Sequence, residues 1–233
     1  MSQGNLYIVP TPIGNLEDIS LRALRTLREA DVIASEDTRH TQKLLTHYNI
    51  SKILTSYHDF NKEEKAPVLL EWMKEGRQVA LVCDAGTPTI SDPGYLLINQ
   101  AIAGGIRVIP LPGPSSILTA LSGSGLPTDA FTFIGFLPRK KTARMKIIET
   151  LREERRTLIF FESPHRIPAV LKEFFECYGG DRKAVVAREL TKQHEEFIYD
   201  TLGEIQKRKW TVKGEITLLI EGMAKKKKEK REE

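Results

Sequence analysis

The chain has 233 residues, enough at roughly 100 to 200 residues per domain for one large domain or two small ones. Hydrophobic residues make up 40% and charged residues 28%, which excludes a disordered, collagenous or fibrous chain. The formal net charge is +4, but residues 225–233 hold six bases and three acids and so carry +3 of it, leaving a nearly neutral body whose global charge argues little for nucleic acid.

Two cysteines, Cys83 and Cys177, are too few for a disulfide framework and lack zinc-site spacing. A cytoplasmic, metal-free protein is expected. The opening MSQGNLYIVP has no charged segment followed by a long apolar run, and no apolar stretch approaches the ~18 residues of a membrane span, so neither export nor membrane insertion is expected.

In chain order, the apolar runs 6–9, 32–35, 52–54, 78–83 and 107–111 read as buried parallel strands. Amphipathic segments alternate with them: SLRALRTLREA, with Ser20 as N-cap, and APVLLEWMKEG, with Gly76 at its C-terminal cap. The alternation predicts a doubly wound α/β domain over 1–113. A Pro-, Gly- and Ser-rich hinge with a short helix over 117–121 leads into a second α/β domain over 114–224. Its predicted strands are FTFIGF, TLIFF, AVVARE, EFIYD and EITLLI, its helix spans about 142–153, and its sheet is mixed. Residues 225–233 read as a basic, disordered tail.

Ligands of open α/β sheets bind at the carboxyl ends of the strands. Three loops lie there. PTPIGN (10–15) is stiffened by two prolines. DAGTPTISDPG (84–94) concentrates special backbone; Asp84 and Asp92 could take a ligand ammonium or cap the next helix, with capping the expected role of Asp92, which directly precedes Pro93. PGPSS (112–116) opens a helix with hydroxyls. No G-x-G-x-x-G loop follows a strand, so the ordinary dinucleotide fingerprint is missing.

These loops, together with IASEDTRHTQKLL, YHDFN, IGFLPRK, FFESPHR, VARELTKQHEE and KGEITLLI, resemble the tetrapyrrole methylase family, most closely its ribosomal-RNA ribose methyltransferase branch, over about 6–220. The resemblance implies two α/β domains, usually in a homodimer, with S-adenosylmethionine held in the cleft between them. It places Pro12, Asp84, Ala85, Gly86, Pro112, Gly113, Ser115, Ser116 and Ile117 at the methionine part and ribose, and Phe161, Glu162, Ala187, Arg188 and Gly214 at the adenine. It also implies methylation of a cytidine ribose 2'-oxygen in 16S RNA of the small ribosomal subunit. The family's porphyrin-type relatives carry G-x-G-P-G after the first strand where this chain has TPIGN, a departure that favours RNA.

On the substrate side, SEDTRHT crowds acids and bases, with Arg39 as a phosphate or ribose contact or as a member of a helix-capping ion-pair cluster. Glu36, Asp37 and Glu189 are the candidate general bases, and the residues leave the choice among them open. Tyr57 and His58 in YHDFN could hold unstacked bases, although Tyr57 and Phe60 also suit a core. SPHR is expected to start a helix at Ser163 with Pro164 in its first turn. Arg139, Lys140, Lys141 and Arg144, with Arg166 and Lys192, are candidate RNA phosphate contacts, set against ordinary surface ion pairing. Two rivals stand beside this reading: methylation of a small corrin or porphyrin, and a non-catalytic ribosome-assembly factor that keeps the fold.

Overall fold

A computed structural model describes residues 3–208 and 213–224; the basic tail lies outside the described residues. The chain divides after Ser115 into two compact units.

In the first unit, β1 (Asn5–Ile8), β2 (Val32–Ser35), β3 (Ile53–Ser56), β4 (Val79–Val82) and β5 (Arg107–Pro110) form one parallel sheet of order β3-β2-β4-β1-β5. Every residue of β2 and β4 is buried, as central strands covered on both faces must be. Successive β4 residues serve opposite faces. Ala80 and Val82 pack with Leu24 and Leu27 of α1 (Leu21–Glu29) and with Leu44 and Leu45 of α2 (Thr38–His47). Val79 and Leu81 pack with Leu69 and Met73 of α3 (Lys62–Lys74) and with Leu97 and Ala101 of α4 (Tyr95–Ala103). The unit is doubly wound.

The caps follow side-chain chemistry. Ser20 accepts the Ala23 N–H at 3.0 Å and starts α1. After α3, Gly76 takes φ +99°, where its N–H reaches Met73 O and the Arg77 N–H reaches Trp72 O, a Schellman closure that L side chains resist. The helix starts at Lys62, four residues before the expected run, and carries Pro67 inside it; the glutamates of its first turn favour that start through the helix dipole.

The second unit holds α5 (Ser116–Gly123), β6 (Phe131–Phe136), α6 (Lys141–Thr150), β7 (Thr157–Glu162), α7 (Ile167–Tyr178), β8 (Lys183–Arg188), β9 (Glu196–Thr201), α8 (Leu202–Lys207) and β10 (Ile216–Ile220). Its sheet, of order β6-β7-β10-β8-β9, pairs β6 with β7 in parallel and the remaining neighbours antiparallel, so it is mixed. Phe160, Leu218 and Val186 of the sheet pack on Val170, Leu171 and Phe174 of α7 and on Leu202 and Ile205 of α8.

Two local expectations are corrected. Helix α7 begins at Ile167, with Pro168 in its first turn; residues 163–166 form a turn in which Ser163 O accepts the Arg166 and Ile167 N–H groups, so Ser163 is not the cap. Helix α6 stops at Thr150, before Glu153. Among the described residues no helix is long and apolar enough to cross a membrane.

Phe174 is fully buried against Phe160 and Tyr178. Phe174→Ala should destabilise the second unit by about 3–5 kcal/mol, read as a shift of its urea midpoint at unchanged slope.

Candidate active site

At the carboxyl edge of the first sheet the three loops are joined through backbone. Thr11 and Gly86 exchange both backbone hydrogen bonds, at 2.9 and 3.0 Å, which ties the loop after β1 to the loop after β4. Gly86 sits at φ +83°, so the exchange depends on glycine there. The Thr11 hydroxyl donates to Cys83 O at 3.0 Å, and the Thr87 hydroxyl donates to Pro114 O at 3.1 Å, which carries the seam on to the loop after β5. A Cβ on Gly113 would collide with the Pro10 ring. Pro12 is buried, whereas Ala85, Pro112 and Gly113 are exposed; in the second unit Ser116 and Ile117 begin α5.

Carboxylates gather around this seam. Asp84 Oδ1 accepts the Asp37 N–H at 3.1 Å, linking the ends of β4 and β2. Burial first, then Asp84, Asp92 and Asp59, push the Glu36 carboxyl above its ordinary value, with His58 opposing. Burial likewise raises Asp92. Among the described residues Glu36, Asp84 and Asp92 form no ion pair with Lys or Arg. An acidic group left without a cation favours a cationic ligand, and a sulfonium with an α-ammonium fits it; backbone exposed at Ala85 and Gly113 fits the neutral parts of the same molecule.

The other expected bases have different surroundings. The Arg39 guanidinium pairs with Asp37 at 2.8 Å and holds its carboxyl well below the usual range, while Asp37 caps α2 through the Arg39 N–H. Glu189 accepts from Lys192 Nζ and from the Glu215 N–H, both at 2.9 Å, and the Lys192 bond lowers its pKa. Gly214, at φ +81°, lies against this Glu189 carboxylate. Asp92 does not cap α4: it accepts the Thr89 N–H at 2.5 Å inside a turn where Thr89 and Ser91 both have positive φ, and Gly94 precedes the helix with no side-chain cap.

Between the first loop and α2 lies a pocket of about 250 Å³, lined by Pro12, Leu16 and Leu44 and by Asp84, His40 and Lys43. Lys43 and Leu16 were not singled out from the sequence. Lys43 and Leu44 do follow His40 at helical i+3 and i+4 spacing, a signal already present in RHTQKLL.

Some expected RNA contacts are corrected. Tyr57 is 1% exposed, a core residue that offers no stacking face, while Phe60 of the same turn is 98% exposed. Arg144 is buried in a two-pronged pair with Glu173, both bonds 2.6 Å, and donates to Pro138 O and Arg139 O. Arg166 donates to Leu137 O at 2.7 Å and stands 3.2 Å from the buried Glu162. Both arginines therefore brace, from inside, the loop that presents the exposed Arg139, Lys140 and Lys141. Lys192 is engaged by Glu189 and Glu215, and Arg188 by Glu196. Ala187 is fully buried within β8, Phe161 is half-buried among Phe133 and Phe136, and His58 is half-buried. Among the described residues no group of three or more potential ligands is placed to hold a metal ion.

Comparison with known proteins adds the following. The family model of tetrapyrrole (corrin/porphyrin) methylases matches residues 5–206. A relative from Halalkalibacterium halodurans, named ribosomal RNA small subunit methyltransferase I, is 52% identical over 96% of this chain and 78% of its own length. A protein of the same name from Vibrio cholerae is 50% identical over 93% of this chain and 77% of its own. Among solved structures, uroporphyrin III C-methyltransferase from Thermus thermophilus complexed with S-adenyl homocysteine shares the fold at TM-score 0.65 and 19% identity, covering 94% of this chain and 97% of that one.

Removing one partner of the Arg144–Glu173 pair should be far worse than removing both. Arg144→Met alone leaves a buried carboxylate and is expected to cost about 3–5 kcal/mol, whereas Arg144→Met with Glu173→Leu should recover most of it in chemical denaturation.

Proposed function

The chain belongs to the tetrapyrrole methylase family, and from that premise we infer that it transfers a methyl group from S-adenosylmethionine to RNA of the small ribosomal subunit, at the ribose 2'-oxygen of a cytidine. The observation that carries the RNA reading is the identity of about one half, over nearly the whole chain, with relatives named ribosomal RNA small subunit methyltransferase I, while the cytidine ribose 2'-oxygen rests on the motif resemblance; the porphyrin methyltransferase shares the fold at 19%. The proposal includes action in the cytoplasm and, as a second partner, another copy of this chain; light scattering on the purified protein should then give twice the mass of one chain.

S-adenosylmethionine supplies an electrophilic methyl on a sulfonium whose neutral thioether leaves. The ribose oxygen forms a bond to that carbon as the carbon–sulfur bond breaks, giving S-adenosylhomocysteine, the methyl ether and one proton. Alignment is the larger demand on the protein: it is worth about 7–11 kcal/mol, against a rate factor of about 10² to 10⁴ for a general base. The seam of Thr11, Gly86, Thr87 and Pro114 supplies rigidity for that alignment. Asp84, unpaired with any described base, is the proposed anchor for the ligand's positive charge.

Of the three candidate bases, Glu36 is best matched to accept the proton. Its pKa is raised by burial and neighbouring carboxylates, whereas Asp37 and Glu189 are lowered by their Arg39 and Lys192 partners and hold protons less well. Asp37 and Arg39 then act on the helix that follows Glu36 rather than on the reacting oxygen.

Transfer of labelled methyl from S-adenosylmethionine to small subunits from cells lacking this protein, followed by nucleoside analysis, should place the label in 2'-O-methylcytidine; donor binding without RNA label would overturn the reading. Glu36→Gln should lower kcat about 10²- to 10⁴-fold, a loss that saturating donor does not restore. In the wild type, kcat should rise with pH through a midpoint above the ordinary glutamate value. A raised carboxyl pKa destabilises the fold above the unfolded value, so Glu36→Gln should melt higher than wild type at neutral pH, a difference that vanishes in acid.

A further inference from the structure

The pocket between the first loop and α2 points to the place where the base of the target nucleotide docks, an inference that rests on the RNA reading above. At about 250 Å³ it is smaller than the ~300–1,000 Å³ sites that enclose drug-sized ligands, so it suits a single planar ring and not a macrocycle. Its walls are apolar on two sides, Pro12 and Leu16 from the loop and Leu44 from the helix, which matches the faces of an unstacked base. Polar side chains line it as well. Asp84, the proposed anchor for the donor's charge, also lines it, so the pocket adjoins the donor, and His40 and Lys43, both exposed on one face of α2, can meet the flanking phosphates.

The pocket is built in advance. Pro12 follows Thr11, which is fixed by the exchange with Gly86. The Leu16 carbonyl accepts the Tyr48 hydroxyl at 2.5 Å, pinning the short helix Leu16–Asp18 to the end of α2.

Two variants test this with intact small subunits as substrate and donor affinity read by calorimetry. Leu16→Trp fills the pocket from a partly exposed position; it should lower kcat/KM for subunits by about 5- to 150-fold, what one stacked base contributes, with S-adenosylmethionine affinity unchanged. Lys43→Ala, fully on the surface, keeps the test alive should the tryptophan variant not fold; it should raise KM at constant kcat and lower the slope of log affinity against log salt by about one. Weaker donor binding in Leu16→Trp would give the pocket to the cofactor, and unchanged transfer by both variants would leave it without a role; either overturns the inference. The wild type in the same assay reports on the RNA reading separately: without RNA label in the wild type that reading fails and the pocket's assignment falls with it, whereas variant effects against an active wild type bear on the pocket alone.

Discussion

A parallel sheet ends with a row of backbone groups that have no strand to pair with, and the loops leaving it must satisfy those groups or expose them. In this protein the Thr11–Gly86 exchange answers the constraint for the two central loops at once. Everything at the site takes its position from that seam: the Thr11 hydroxyl closes on Cys83 O, Thr87 reaches the third loop, and Gly113 presses against Pro10. Backbone at Ala85 and Gly113 is left open, and a ligand can use it without any loop having to order first. Pre-ordering matters for a reaction whose main requirement is alignment.

The two units treat charge in opposite ways. Among the described residues of the second, each strongly buried charge has a partner: Arg144 with Glu173, Arg166 with Glu162, Arg188 with Glu196. Those pairs are structural, and two of them brace the loop that carries Arg139, Lys140 and Lys141. In the first, Glu36, Asp84 and Asp92 stand together without lysine or arginine, at a cost that a pairing residue would have removed. Like charges held together in a partly buried place are what a cationic ligand relieves. The contrast separates scaffold from site more cleanly than the number of charged residues in either unit.

The same logic explains which candidate contacts proved internal. Arginine beside a loop, whether near in the chain as Arg144 is or distant as Arg166 is, can turn inward to that loop's carbonyls, and its five donors make this favourable when a carboxylate lies behind it. Arg144 does so with Glu173, 29 residues away, and Arg166 with Glu162, four away. Tyr57 turns inward because it follows β3 directly and the face it occupies is covered by α3 and α4.

Hydrophobic period and punctuation alone determined the strands, most helices, the doubly wound first half and the mixed second sheet, since each depends on neighbours within a few residues. Ser20 as a cap and Gly76 as a stop were legible for that reason. The motifs likewise pointed to the three loops at the carboxyl ends of the strands and to the methylase family. Only the tertiary structure decided which charges pair. Glu173 and Arg144 have no sequence relation that marks them, and Asp84 meets Asp37 across 47 residues. Asp92, expected at a helix start, turned to the Thr89 N–H, because the positive-φ turn left that donor nearer than the helix. Among Glu36, Asp37 and Glu189, identical in kind on paper, the choice came from what lies beside each: a proton is held where burial and like charge surround the carboxyl, and is lost where an arginine or lysine does. Those surroundings are long-range contacts, which local patterns do not encode.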